Sequence, residues 1–298
     1  MSAPLMECVP NVSEGRDAGV IEALGHAIET TGARLVDVHR DTDHHRSVFT
    51  FLGPTKTVED GARALARAAL SLVDLTRHRG VHPRLGAVDV IPFVPLRGTP
   101  MIDAVTAAHH LGRAVAGELD VPVFFYGEAC ADPRRRELPA LRRGGLEGLT
   151  ARMADPAWRP DEGPVTPHPT AGVMVIGARA PLIAFNAVLD TLSLEIARDV
   201  ARALRASSGG LQAVRALGLA LESRRRAQVS MNLLDYRCTT VTVVARRLEE
   251  EARRRGARVT EYELVGCAPA DALDPWPGDL APIAGLKSSQ LLDPAFFP

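Results

Sequence analysis

Short apolar runs rich in β-branched and aromatic residues alternate with stretches whose apolar residues recur every three or four positions. That alternation restricts the chain to helices packed on a sheet. "LMECVPNV" opens the series as a strand and ends in the turn "SEGRD". Val20, Leu24, Ala27 and Ile28 then share one helical face, Gly32 closes that helix, and "ARLVDVH" is the next strand. The polar stretch "RDTDHHRS" leads into the strand "VFTFLG". Val58, Ala62, Leu65, Ala69 and Leu72 mark a long helix, with Thr55 expected as its N-cap. After the strand "AVDVIPFVPL", Thr99 and Pro100 are expected as cap and first-turn proline of a helix carrying Met101, Val105, Ala108, Val115 and Leu119. "VPVFFYG" is a further strand. From about Asp132 the periodicity gives way to Pro-, Gly- and Arg-rich sequence. "VMVIGARAPLIAFNAVL" is expected as two strands around a turn at Gly177 to Pro181. A helix on Leu192, Ile196, Val200 and Leu204 follows, then the strand "AQVSMNLL". A helix on Val241, Val244, Leu248 and Ala252 and the strand "ARVTEYELVG" complete the series. The expected fold class is α/β (α+β), divided into residues 1–178 and 179–298. The triplet Gly-Ala-Arg opens a strand at Gly32 to Arg34 and again at Gly256 to Arg258, a faint sign of duplicated architecture.

Charge narrows the function classes. With 35 basic and 36 acidic residues, net charge -1, the chain lacks the basic excess of a nucleic-acid binder. The arginine clusters at 134–136, 224–226 and 253–255 have acidic neighbours and are expected as solvated faces. Cys8, Cys130, Cys238 and Cys267 form no C-x-x-C pair, so reduced thiols are expected rather than a disulfide framework or a zinc ribbon. No basic leader and no run of about 18 apolar residues appears, so no membrane span is expected and a cytoplasmic location is. Walker, G-x-G-x-x-G and G-x-S-x-G motifs are absent from the sequence.

Against that background "RHRGVHPRLGAVDVIPFVPL" asks for an explanation. Pro83 forces His82 towards extended backbone, Gly80 and Gly86 permit close approach, and Arg84 adds a cation. An imidazole with a near-neutral pKa suits acid/base work, and a surface-turn histidine is the plain alternative. The segment "HRDTDHHRSVFTF" offers His39, Asp41, Asp43, His44 and His45 as ligand types. No recognised metal spacing occurs, and adjacent histidines on an extended segment point apart. Arg46, at the mouth of the following strand, suits a substrate carboxylate. "PDEGPVTPHPTAG" is stiffened by proline and is expected to wall a pocket, a plain linker being the alternative.

Together these segments resemble the formiminotransferase family. The matching pieces are "ECVPNVSEGRD", "DHHRSVFTFLGP", "RHRGVHPRLGAVDVIPFVPLRG", "ELDVPVFFYGEA", "PDEGP" and "TAG", and "AQVSMNLLDY". They run in family order over nearly the whole chain. The resemblance implies two tandem ferredoxin-like subdomains, an elongated folate pocket between them, and a homodimer. It implies transfer of a formimino group from N-formimino-L-glutamate to N5 of tetrahydrofolate, in histidine degradation and one-carbon metabolism. Tetrahydrofolate would be a co-substrate, with no bound cofactor and no metal. The family's catalytic histidine falls on His82. Its folate loop falls on Gly163, Pro164, Val165, Thr166, Pro167, His168, Pro169, Thr170, Ala171 and Gly172.

Chemical inference adds Arg46, Arg84 and Arg179 as carboxylate-binding residues, since both substrates are anionic. Animal members carry aspartate where this chain has His39, so His39, Asp37 and Asp41 are candidates to assist His82. Thr170 and Ala171 replace an aromatic of the family loop, and Val188 an asparagine. The helical cyclodeaminase domain of the animal proteins has no counterpart in this sequence, so transferase activity alone is expected. A formyl donor, a metal-dependent hydrolase or deiminase on the His39–His45 cluster, and a non-catalytic folate-binding protein are the other readings.

Overall fold

The computed structural model describes residues 3–298. It separates into two compact units, one reaching Ala180 and including Pro298, the other Pro181–Phe297.

The first unit runs β1 (Met6–Cys8), β2 (Asn11–Val12), α1 (Ala18–Glu29), β3 (Arg34–Asp41), β4 (Arg46–Gly53), α2 (Thr55–Leu72) and β5 (Val88–Pro95). Then come α3 (Met101–Leu119), β6 (Val123–Gly127), α4 (Leu138–Leu141), α5 (Gly145–Arg152) and β7 (Met174–Ala178). β3 pairs with β4, and the interrupted strand β1–β2 lies between β4 and β5, antiparallel to both. Counting β1–β2 as the first strand, this is the fourth-first-third-second order of a ferredoxin-like β-α-β-β-α-β unit. β7 and β6 extend the sheet in parallel beyond β5. Helices α1, α2 and α3 cover one face, where Phe49, Phe51, Ile91 and Phe93 join their apolar stripes. On the other face, Leu141, Leu149 and Met153 pack over Phe124, Tyr126 and Val175.

The second unit runs β8 (Ile183–Leu189), α6 (Leu194–Leu204), β9 (Val214–Leu221), β10 (Arg226–Leu233), α7 (Val241–Arg254) and β11 (Val259–Val265). Its sheet order is β11-β8-β10-β9, the same ferredoxin-like order. The duplication is therefore topological. The Gly-Ala-Arg triplets do not mark equivalent places, because the first precedes the second strand of its unit and the second precedes the fourth. Both glycines are left-handed helix stops, with φ of 84° and 75°.

Several local expectations change. The cap of α2 is Pro54, in extended geometry, and Thr55 is already helical. α3 likewise begins at Met101 behind Pro100, and the Thr99 hydroxyl donates to the Leu5 carbonyl instead. Leu192 lies before α6, which Ser193 caps through the Ile196 N–H. β7 and β8 do not pair, belonging to different sheets, and Gly177 lies inside β7. Residues 138–152 hold two helices where loop was expected, too short for a periodic signal. β9 has Gly218 at its centre, which hides it as a strand. A Cβ there would come 2.4 Å from the Arg198 backbone nitrogen in α6.

Candidate active site

His82 lies in the loop that feeds β5, on a cavity of about 300 Å³ lined by Leu75, Gly80 to Leu85 and, from α5, Gly145 to Glu147. Its Nδ1 sits 2.8 Å from the Pro83 carbonyl oxygen. That oxygen only accepts, so Nδ1 carries the hydrogen of the neutral ring and Nε2 keeps its lone pair. One edge of the ring is exposed, but its surroundings are dense. Burial holds the imidazole well below the usual histidine range, and Arg46, Arg142 and His44 add to this while Asp89 opposes it. His82 is therefore neutral at neutral pH.

Beneath it lies a buried ion network. Asp89 is fully buried in β5. One of its oxygens accepts the Leu85 N–H at 2.7 Å. The other accepts from Arg46 at 2.7 Å and from Arg142 at 2.6 Å. Burial alone would raise this carboxyl, but Arg142 and Arg46 outweigh it and hold it well below the carboxylate range. Arg46 also donates from Nε to Asn11 at 3.0 Å. Two guanidiniums against one carboxylate leave a surplus positive charge beside His82. Arg84 lines the cavity with its Nη2 donating to the His78 carbonyl at 3.2 Å.

The expected site residues thus fall into two places. Arg84 lies at the His82 cavity and Arg46 beneath it, though the Arg46 guanidinium is engaged by Asp89 and Asn11. Arg179 follows β7, where its N–H donates to the Phe93 carbonyl at 3.1 Å. Asp37, His39 and Asp41 all lie on β3, opposite Thr50, Val48 and Arg46. The groups acting most on His82 do not include them. Asp41 instead orders the β3–β4 turn by accepting the Asp43 and His44 N–H groups at 2.8 Å each. His44 comes to His82 with ring centroids 5.5 Å apart. Among the described residues, no group of three or more His, Cys, Asp or Glu could hold a metal ion.

The loop from Gly163 to Gly172 is stitched to the segment that carries His82. Leu75 N–H donates to the Thr170 carbonyl at 2.8 Å, Ala87 to Ala171 at 2.9 Å and Val173 to Leu85 at 3.0 Å. His168 and Gly172 exchange backbone bonds at 2.9 Å, and the His168 Nδ1 accepts the Ala171 N–H at 3.1 Å. That histidine shapes the loop from within. Gly86 closes the seam, since a Cβ there would come 2.0 Å from the Val173 carbonyl oxygen. Gly86→Ala is expected to cost about 1–3 kcal/mol through overpacking, read as a lower thermal midpoint.

His78 supplies a pH signature nearby. Its ring stacks on His45 at 4.2 Å, and its Nε2 lies 2.7 Å from the His45 carbonyl oxygen. Burial holds it down to about 4 from an ordinary 6.5. Below about 6.5 the unfolded chain takes up this proton and the folded chain does not. Stability should therefore fall as pH drops from about 6.5 to about 4. Thermal melts should show that slope, reduced in His78→Gln.

Asp89 and Arg142 were not foreseen as site residues, and His44, singled out as a metal-ligand type, stands beside His82 instead. Asp89 had a signal: a lone carboxylate inside "AVDVIPFVPL" demands buried counterions. Arg142 had none, because it comes from the segment between α4 and α5.

Residues 5–179 match the family described as Formiminotransferase domain, N-terminal subdomain, and residues 184–275 match the Formiminotransferase domain. A glutamate formimidoyltransferase of Streptococcus pyogenes serotype M1 is 39% identical over 272 residues, covering 91% of each chain. One of Thermoplasma acidophilum is 42% identical, covering 90% of this chain and 89% of its own. The formimidoyltransferase-cyclodeaminase of Mus musculus is also 42% identical, but this chain spans only 51% of its length.

Proposed function

The chain belongs to the formiminotransferase family, and on that premise we propose that it is a glutamate formimidoyltransferase. It moves a formimino group from N-formimino-L-glutamate to N5 of tetrahydrofolate. What supports this in the molecule is a neutral imidazole whose Nδ1–H is fixed on the Pro83 carbonyl, on a cavity beside surplus guanidinium charge.

The proposed chemistry follows from that arrangement. The N5 amine attacks the formimino carbon and forms a tetrahedral adduct. His82 Nε2 takes the proton that N5 loses as the bond forms. The same proton then passes to the glutamate nitrogen, the old C–N bond breaks, and the imidazole is neutral again. Depressed basicity suits the second half, because a reluctant imidazolium is a willing acid. The surrounding positive charge suits anionic substrates, with Arg84 available to a carboxylate at the cavity.

The seam between the His82 segment and residues 163–172 supports a folate site on that loop, because anything seated on one is held in register with the other. The proposal extends to a cytoplasmic homodimer serving histidine degradation, with tetrahydrofolate as co-substrate and no resident metal. No helix among the described residues is long and apolar enough to cross a membrane.

The test is a stopped assay of purified protein with N-formimino-L-glutamate and tetrahydrofolate, following 5-formimino-tetrahydrofolate. Turnover is expected and should survive exhaustive chelation. Turnover with N-formyl-L-glutamate in its place would overturn the donor, and loss of activity to chelator with recovery on added metal would overturn the metal-free chemistry.

A further inference from the structure

One polar group lies on the sheet away from everything described so far. Glu7, on β1, is only 6% exposed. Among the described residues its carboxylate has no hydrogen-bond or ion-pair partner within ordinary distance. It sits opposite Leu52 on β4 and Val94 on β5. Two polar side chains come near it from the other side of β5. Arg179 follows β7 and acts electrostatically on Glu7 without pairing with it. Tyr126, on β6, is buried and lies beside the Arg179 guanidinium. Its ring has room there because Gly177 has no side chain, and a Cβ at that position would meet the ring at 2.4 Å.

This group shares a face with the His82 network. Side chains alternate along a strand, so Arg46 and Leu52 of β4 point the same way, and Glu7 pairs with Leu52. A register irregularity where β2 pairs with Val88 and Val90 breaks the alternation of β5 at Asp89, so Asp89 and Val94, five residues apart, mark the two ends of this face, about 16 Å of strand. An imidazole, a bicyclic pterin and a glutamate side chain laid end to end can cover that distance.

The residues offer an acceptor pair on Glu7 and donors on Arg179 and Tyr126. The pyrimidinone edge of a tetrahydropterin offers the complement: a 2-amino group and an N3–H that donate, and a 4-oxo group that accepts. We propose that Glu7 receives the 2-amino and N3–H groups of the folate pterin while Arg179 and Tyr126 face its 4-oxo oxygen, making Glu7 the residue that selects the pterin. This deepens the folate-dependent reading and rests on it. Glu7 is 6% exposed with no protein donor on its carboxylate among the described residues, an arrangement that a site awaiting a donor pair accounts for. Burial pushes Glu7 up to about 7, against the pull of Arg179. Cys8 is its titratable neighbour on the same strand, and burial keeps that thiol in its neutral form.

Binding of 5-formyltetrahydrofolate and of its 2-desamino analogue, measured by calorimetry, tests the assignment. Wild type should prefer the amino compound by about 10- to 100-fold, the worth of hydrogen bonds to a charged group. Glu7→Gln should lose most of that preference, leave the KM for N-formimino-L-glutamate unchanged, and melt no lower than wild type. Wild-type affinity should weaken as pH falls from 8 to 6, because the ionised carboxylate is the better acceptor, and the variant should be flat. Equal wild-type affinity for the two compounds would overturn the proposal without needing a variant. So would a Glu7→Gln effect confined to the KM of the formimino donor, which would place the donor's amidine there instead. Selective pterin binding without formimino transfer would leave the Glu7 site standing and remove the activity.

Discussion

Replacing His82 by alanine is expected to lower kcat by about a hundred- to ten-thousand-fold, the usual worth of a placed acid/base. Folate affinity should change little, because the proposed folate loop, residues 163–172, is a separate segment held by backbone bonds rather than by the imidazole. His82→Gln should be nearly as inactive, since an amide cannot carry the proton between two nitrogens. The pH dependence gives a second reading. With the imidazole held well below its usual range, kcat at saturating substrates should be level through neutral pH and decline only on the acid side of 6.5. The residual activity of His82→Ala should lack that acid limb. A profile unchanged by the substitution would assign the proton transfer elsewhere.

Asp89→Asn is expected to give the largest loss of stability of any single isosteric change in the first unit. It leaves the Arg46 and Arg142 guanidiniums facing each other without their shared counterion. Removing one member of a buried ion pair costs about 3–5 kcal/mol, which corresponds to a fall of roughly 10 °C in thermal midpoint for a domain of this size. The acid behaviour should change as well. The folded carboxyl is held below its unfolded value, so its contribution is present above the ordinary carboxylate range and is lost as pH falls through it. Melts from pH 6 to pH 3 should show that loss in wild type and a weaker one in Asp89→Asn. Activity should fall too, because losing the Asp89 charge depresses His82 further, while the remaining amide oxygen can still accept the Leu85 N–H.

Much of this arrangement was legible beforehand where local pattern and tertiary role agree. The apolar stripes of α2 and α3 and the continuous run of β5 meet the buried core, except that Leu72, at the last turn of α2, is exposed. His82 could be picked out because proline, glycine and arginine crowd it without any packing reason. The rest was hidden for particular reasons. β9 carries a glycine that the helix above it requires. α4 and α5 are too short to show a period, yet they bracket Arg142 and line the His82 cavity. Arg46 was expected at a ligand and is instead engaged within the protein, because a guanidinium at a strand mouth suits either partner. Asp89, fully buried on β5 across the intervening β2, is the one it has. The three arginines expected together lie at two ends of a sheet face, a separation that only strand register reveals.

The interrupted strand β1–β2 is synthesised first, yet it fills the middle of the sheet. Cys8 pairs with Phe51 on one side and Phe93 on the other. A chain emerging from the ribosome therefore exposes the edges of β4 and β5 until its earliest residues thread between them. Such long-range closure is slow and leaves unpaired edges open to other chains while it waits. Glu7 and Asn11 ride on that strand, so the polar groups at both ends of the sheet face come into position only in the step that closes it. Maturation of the site and completion of the sheet should appear as one kinetic phase in refolding.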